Sequence, residues 1–121
     1  MKENWNTHLV CNARSPLISN GRLREELILH AIDAEEIEPL IQDFSRFTGR
    51  EINADTDIST LSGGQKVMLM LLLALHSPAN SIIFVDLWHS LDEQHQAKIK
   101  KLLDEYTGSK EIILKESGSE V

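Results

Sequence analysis

Residues 61–65 read LSGGQ, which places a hydroxyl, two adjacent glycines and an amide directly before the apolar run KVMLMLLLAL. The apolar run predicts a buried helix, with Gly63 and Gly64 in its first turn. Adjacent glycines are a poor start for an ordinary helix, because glycine loses the most backbone entropy when it becomes ordered. Adjacent glycines are suited to a site where another group must approach the backbone N–H groups closely, because glycine has no side chain to block the approach. The alternative is a capped helix start in a tight turn, with Ser62 as the cap.

The second candidate for chemistry is the carboxylate of Asp86, which ends the run SIIFVD at residues 81–86. That run is rich in β-branched and aromatic residues and indicates an interior strand of a parallel sheet. Trp88 and His89 follow, and we expect them to pack and hydrogen-bond at the end of this strand. The five histidines and the one cysteine do not have the spacing of a zinc site.

These residues must be positioned by alternating strands and helices. The predicted strands are 8–12, 81–86 and 111–115. The predicted helices are 22–32, 34–47, 63–77 and 93–106. The alternation predicts an α/β fold with a small parallel sheet of about three strands.

Local signals mark the helix ends. We expect Asp92 to cap the helix 93–106, Asp33 and Glu36 to form a capping box, and His76 to cap a helix C-terminus. Pro39 conflicts with a helix that begins at residue 34, because proline lacks an N–H and presses on the carbonyl four residues back. Either that helix kinks or its regular part begins near Pro39, and the sequence leaves both open.

Composition limits the classes of function. The 121 residues predict a single domain, 1–121, with one modest core. A net charge of −7 offers no basic stripe for a phosphate backbone, so we expect no direct nucleic-acid binding. Lone Cys11 indicates a reducing compartment, and the longest apolar run is far shorter than a membrane span. We therefore expect a cytoplasmic location without membrane insertion.

Taken together, TLSGGQKVMLMLLLAL, SIIFVD and SLDEQHQ resemble the C-terminal half of an ABC-type (ATP-binding cassette) ATPase domain. The match runs through the signature motif, the Walker B strand and the D-loop, in the family's order. SPLISNGRLREEL resembles the segment after the Q-loop, so the resemblance covers about residues 8–116. It implies a truncated P-loop NTPase fold, with a helical subdomain at 22–77 and a sheet core at 8–12 and 81–116. Residues 117–121 are expected to form a flexible tail.

The resemblance also implies roles for these residues. In ABC-type ATPases the signature caps the γ-phosphate of ATP held by the opposite subunit, and a helix N-terminus suits an anion. The signature residues assigned to this role in trans are Leu61, Ser62, Gly63, Gly64 and Gln65. ATP and Mg²⁺ are then expected only with a partner, either an ABC-type subunit or a second copy in a homodimer. The last strand, 111–115, would lack the neighbour that a full domain supplies.

Several family positions are altered or missing. None of the glycines precedes a lysine in a G-x-x-x-x-G-K-[ST] pattern, so there is no Walker A motif. Asp86 matches the Walker B acid that helps to hold Mg²⁺ through water, but Leu87 replaces the catalytic glutamate. The Q-loop position falls at residues 12–14 without a glutamine, and the switch-histidine position falls near Glu116. The degenerate Walker B and D-loop residues are Asp86, Ser90, Leu91 and Asp92.

The chain alone is therefore not expected to hydrolyse ATP, and three hypotheses remain for its role. The first is a nucleotide-dependent regulatory or accessory component of an ABC system, which offers its signature to a partner's ATP. The second is a non-catalytic interaction or structural module. The third is kinship with the chromosome-maintenance and DNA-repair ATPases of the SMC and RecF kind, whose signatures also begin LSGG.

Overall fold

The computed structural model describes residues 8–19, 21–89 and 91–117. Its strands are β1 (His8–Asn12), β2 (Ser81–Val85) and β3 (Glu111–Lys115). Its α-helices are α1 (Leu23–Leu29), α2 (Ala34–Thr48), α3 (Gly63–His76) and α4 (Glu93–Tyr106), with a short 3-10 helix at Ile58–Thr60. The predicted α/β class is confirmed.

The strands form one parallel sheet in the order β1-β2-β3. Ser81 at the start of β2 is paired with His8 on one side and with Glu111 on the other. The central position predicted for 81–86 is confirmed. Parallel strands all end at the same edge of a sheet, so the residues after Asn12, Val85 and Lys115 are brought together.

Helix α3 is the centre of the core. Its ten residues from Val67 to His76 are all buried, and the helix packs against α2, β1 and α4. A helix that is apolar on all sides is stable only when other elements surround it, as they do here. The burial also fixes the first turn of α3, and with it the glycines of residues 61–65. None of the described helices has both the length and the apolar character that a membrane span requires.

Two elements end earlier than predicted, each one or two positions before a residue with a positive φ. Ala31 has φ 55° and α1 ends at Leu29, three residues before the predicted end of that helix. Asp86 has φ 59° and lies just after β2, which was predicted to include it. Left-handed backbone is incompatible with a continuing helix or strand, and aspartate tolerates it better than most residues. Asp86 therefore stands at a turn and not within the strand.

Helix α2 begins at Ala34, so Pro39 lies inside it and the helix does not start at the proline. Two predictions about helix ends were wrong. Asp33 is the N-cap residue but makes no side-chain capping bond, and Glu36 instead contacts His76, with its Oε1 2.7 Å from Nδ1. His76 does not cap its own helix, because its ring lies between Glu36, Asp43 and Tyr106. The predicted cap at Asp92 is confirmed, since its Oδ1 accepts a bond of 2.9 Å from His95 N.

Candidate functional site

The start of α3 is held by a reciprocal pair of hydrogen bonds between Ser62 and Gln65. The backbone N–H of Gln65 donates to Ser62 Oγ at 3.1 Å, and the backbone N–H of Ser62 donates to Gln65 Oε1 at 3.0 Å. This is a capping box. The Ser62 hydroxyl accepts one bond here, so its own proton remains available for an outside acceptor. Leu61, immediately before, is buried and anchors the turn in the core.

The two glycines leave the helix start open. Neither Gly63 nor Gly64 has a hydrogen-bond acceptor for its N–H among the described residues, as expected for the first turn of a helix. A Cβ added at Gly63 would meet nothing within 4 Å, whereas one at Gly64 would lie 3.5 Å from His95 Nε2. Ser62 and Gly63 are exposed. The structure therefore presents two amide donors on an accessible surface.

Arg50 fixes the approach to this turn. Its guanidinium donates from Nη1 to Thr60 O and from Nη2 to Thr60 Oγ1, both at 2.8 Å, and Nη1 lies 3.4 Å from Gln65 Oε1. One side chain thus joins the loop after α2 to the capping box of α3. Arg50 is 10 residues from Thr60 and 15 residues from Gln65 in the sequence, so no local sequence pattern indicates these contacts.

His95 brings the first turn of α4 beside the same glycines. Its Nδ1 lies 2.7 Å from Asp92 Oδ1, and its Nε2 lies on the side of Gly64. The pKa of Asp92 is lowered, mainly by the hydrogen bond from the His95 backbone and next by the hydrogen bond from the His95 ring. Leu91 is half-buried, Asp92 is exposed and Ser90 lies outside the described residues. The sequence did not indicate a role for His95, because the resemblance of SLDEQHQ applies to the stretch as a whole.

Asp86 lies in a second group of polar residues, at the carboxyl edge of the sheet. Its side chain is 5% exposed. Oδ1 accepts from Ser117 N at 2.8 Å, and Oδ2 accepts from Ser117 Oγ and from Arg14 Nε, both at 2.7 Å. The Ser117 hydroxyl, and then the Arg14 guanidinium, lower the pKa of Asp86 to about 2. Asp86 is therefore ionised and already bonded within the chain.

An open cleft of about 170 Å³ adjoins this group. Its lining residues are Arg14, Asp86, Trp88, His89, Glu116 and Ser117. Leu87 does not line it, because its side chain is 2% exposed and belongs to the core. Within the described ranges no group of three or more histidine, cysteine or acidic side chains is arranged to hold a metal ion. The donors around Asp86 do not fit Mg²⁺, since a guanidinium and a hydroxyl already occupy the carboxylate.

Comparisons with known proteins show the family to which the chain belongs. No family model matches the sequence. The lactococcin-A transport/processing ATP-binding protein of Lactococcus lactis subsp. lactis is 35% identical over 85 residues, which are 70% of this chain and 12% of that protein. An ABC transporter ATP-binding protein from Pyrococcus furiosus superposes over 96% of this chain with a TM-score of 0.70 and 16% identity. The chain is a partial ABC-type ATPase domain.

The extent of the match shows how much of the fold is present. The chain spans 58% of the Pyrococcus structure. A metal-chelate type ABC transporter in an inward-facing conformation matches 95% of the chain with a TM-score of 0.66 and 15% identity, and the chain spans 49% of it. About half of an ABC-type ATP-binding domain is therefore represented in these residues.

Within this partial ABC domain the candidate residues fall into two separate groups. Residues 61–65 lie at the start of α3, with the ring of His95 from α4 beside Gly64. Asp86 lies with Arg14 and Ser117 at the sheet edge. No hydrogen bond or ion pair between described residues joins one group to the other.

Proposed function

We propose that this partial ABC domain presents its signature, residues 61–65, to the triphosphate of ATP held by a partner protein. It would thereby serve as a nucleotide-dependent regulatory or accessory component of an ABC system. The observation that carries the proposal is the open first turn of α3, where the Gly63 and Gly64 amides have no acceptor among the described residues. The capping box of Ser62 and Gln65 holds that turn in shape without using those amides.

The electrostatics of the turn favour an anion. A helix N-terminus carries roughly half a positive charge, and its free N–H groups point along the axis towards an incoming group. The Ser62 hydroxyl adds a third donor, and Arg50 adds a positive charge beside Gln65. These groups provide contacts to phosphate oxygens but no nucleophile, base or metal ligand. The role supported is therefore binding and not hydrolysis.

The partner proposed is an ABC-type subunit that carries its own P-loop. These 121 residues contain no Walker A pattern, so two copies of them would supply two signatures and no primary phosphate site. ATP and Mg²⁺ would accordingly arrive on the partner. The relatives found are transporter proteins, which favours an ABC transporter setting over chromosome-maintenance ATPases.

The proposal is tested by NMR with a nucleotide-loaded ABC protein. The ¹⁵N-labelled chain is mixed with the Pyrococcus furiosus ATP-binding protein, loaded with Mg²⁺ and either ADP or a non-hydrolysable ATP analogue. We expect the amide signals of residues 61–66 to shift or broaden with the analogue and not with ADP. A Gly63→Asp variant should lose the response, because it places a carboxylate against the phosphate. Gly108→Asp is the matched control at another glycine with open surroundings. Equal spectra with both nucleotides would contradict the proposal.

A second function, that of an interaction module, is favoured by the far edge of the sheet. β3 is an edge strand, and Leu114 on it is 45% exposed. A groove of about 450 Å³ beside it is lined by apolar Trp88, Leu103, Ile112 and Leu114, with Lys100, Asp104 and Thr107. An open strand edge with apolar side chains invites pairing. Because the chain represents about half of an ABC domain, the occupant proposed is a polypeptide that supplies the other half.

Co-expression with the P-loop half of an ABC-type ATP-binding domain tests this second function. We expect the two polypeptides to co-purify, and Leu114→Glu to abolish the association because it places a charge in the apolar groove. Ile28→Glu changes an exposed residue that does not line the groove, so it serves as the control. Failure to co-purify, or equal loss in both variants, would remove the case for pairing at β3.

A further inference from the structure

We propose that Arg14 takes the place of a metal ion at the Walker B acid, so that Asp86 ties the ends of the three strands together and excludes divalent cations. Arg14 follows β1, Asp86 follows β2 and Ser117 follows β3. All three meet at one carboxylate within 2.7–2.8 Å. The inference concerns the chain's own residues and does not depend on the proposed role of the signature.

The hydrogen bonds leave little of the carboxylate for a metal. A carboxylate offers about four lone-pair sites. Three of them are used by Ser117 N, Ser117 Oγ and Arg14 Nε, and the side chain is 5% exposed. A hydrated Mg²⁺ needs free oxygen acceptors for its ordered waters. It would also have to approach the positive charge of Arg14, which repels a divalent ion.

Arg14 is held in this position by its neighbours. Its backbone N–H donates to Asn12 Oδ1 at 2.9 Å, and its Nη2 lies 3.2 Å from His89 Nδ1. A guanidinium has only donors, so His89 Nδ1 is the acceptor in that contact. Arginine does not lose its proton in the ordinary pH range, so the ion pair persists wherever Asp86 is ionised.

The backbone of Asp86 supports the same arrangement. Its φ of 59° turns the chain away from the strand direction, and its N–H donates to Lys115 O of β3 at 2.8 Å. On the opposite side of β2, Ala13 N donates to Val85 O at 3.0 Å. Backbone and side chain together therefore fasten the end of β2 to both neighbouring segments.

The test uses Mn²⁺, whose unpaired electrons broaden the NMR signals of nearby amides. Added to the ¹⁵N-labelled full chain without nucleotide, Mn²⁺ should leave the amides of Leu87 and Ser117 no broader than the amides of residues far from Asp86. In an Arg14→Gln variant, which removes the charge and keeps a polar side chain, those two amides should broaden. We expect the apparent Mn²⁺ affinity at this site to rise roughly tenfold or more, since an adjacent unit charge is removed.

Controls separate the site from general ion binding. Asp86→Asn in the Arg14→Gln background should remove the new broadening. Arg24→Gln disrupts an exposed ion pair with Asp55 in another part of the chain and should leave the amides of Leu87 and Ser117 unchanged. If Arg14→Gln fails to fold, Arg14→Lys keeps the positive charge and should fold and remain unbroadened.

Three outcomes would overturn the proposal. The first is saturable broadening at Leu87 and Ser117 in the unaltered chain that Asp86→Asn abolishes, because Asp86 would then be a metal ligand. The second is a folded Arg14→Gln variant that broadens no more than the unaltered chain. The third is an Arg14→Lys variant that broadens at these amides, since its charge should exclude the ion as the arginine does.

Discussion

Asp86 is the residue at which this chain departs most clearly from a phosphate-binding site. Its two oxygens accept from Ser117 twice and from Arg14 once, and the residue beside it, Leu87, is in the core. A carboxylate that accepts three hydrogen bonds from its own chain acts as a structural link. Leucine at the following position can neither accept a proton nor orient a water molecule. The same two positions thus account for both the stability of the sheet edge and the expected absence of hydrolysis by the lone chain.

The lowered pKa of Asp86 gives a prediction about acid stability. Its pKa falls from 3.8 to about 2 in the folded chain. Because the folded-state pKa is lowered, the carboxylate stabilises the fold above about pH 4, and this contribution is lost as the pH falls through about 2. Asp86→Asn should therefore lower the free energy of unfolding clearly at pH 7 and much less at pH 2. Urea denaturation at the two pH values measures the difference. An equal loss at both would show that the charge of Asp86 does not matter.

At the scale of elements, α3 connects the core to the glycine turn at residues 61–65. A helix buried along ten consecutive residues holds its first turn firmly, so the glycine amides are presented in a fixed direction. Leu72 has 0% exposure within that helix. Leu72→Ala should therefore cost roughly 2–5 kcal/mol in the free energy of unfolding, as truncations of fully buried leucines do. Chemical denaturation measures the loss.

The control for that substitution is Ile28→Ala in α1, where the side chain is 75% exposed. Surface substitutions away from special features usually change the free energy of unfolding by less than about 0.5 kcal/mol. An unchanged denaturation midpoint for Leu72→Ala would contradict the central position of α3.

The junction of α2, α3 and α4 gives a second prediction at this scale. Tyr106, the one tyrosine of the sequence, has its hydroxyl 3.1 Å from His76 Nε2 and 3.4 Å from Asp43 Oδ2. Burial first, and then the charge of Asp43, raise the pKa of Tyr106 to about 12. Ultraviolet absorbance should therefore show no phenolate near pH 10, where an unperturbed tyrosine titrates. Asp43→Asn should lower the pKa of Tyr106. Titration near pH 10 in a chain that circular dichroism shows to be folded would contradict this packing.

The sequence predicted several elements correctly, but it did not predict the partners of the long polar side chains. Hydrophobic period and strand composition predicted β1, β3 and α4 with their observed bounds. Glu36 was assigned to a cap, but it turns towards His76, forty positions away in the chain. Arg14, Arg50 and His95 were not given roles, because each acts through a contact that only the folded chain creates. Local capping and periodicity are visible in a sequence, whereas the partners of long polar side chains depend on tertiary packing.

At the scale of the whole molecule, the two candidate sites of this partial ABC domain differ in how far their polar groups are already bonded within the chain. The turn at residues 61–65 is open and offers free amide donors, while Asp86 is bonded internally to Arg14 and Ser117. The residues span about half of the solved ABC structures that they match. We therefore propose that this chain contacts a nucleotide held by another protein, and that its own sheet edge holds none.

The most direct test of this account is a titration of the ¹⁵N-labelled lone chain with ATP. A helix N-terminus with a few donors supports only millimolar-range binding once the entropy of association is counted. We expect small amide shifts centred on residues 61–66, lost in Gly63→Asp and retained in Gly108→Asp. Sub-micromolar affinity would reveal a primary nucleotide site. Shifts that cluster at Arg14, Asp86 and Ser117 would show that the cleft at the sheet edge, and not the signature, meets the phosphates.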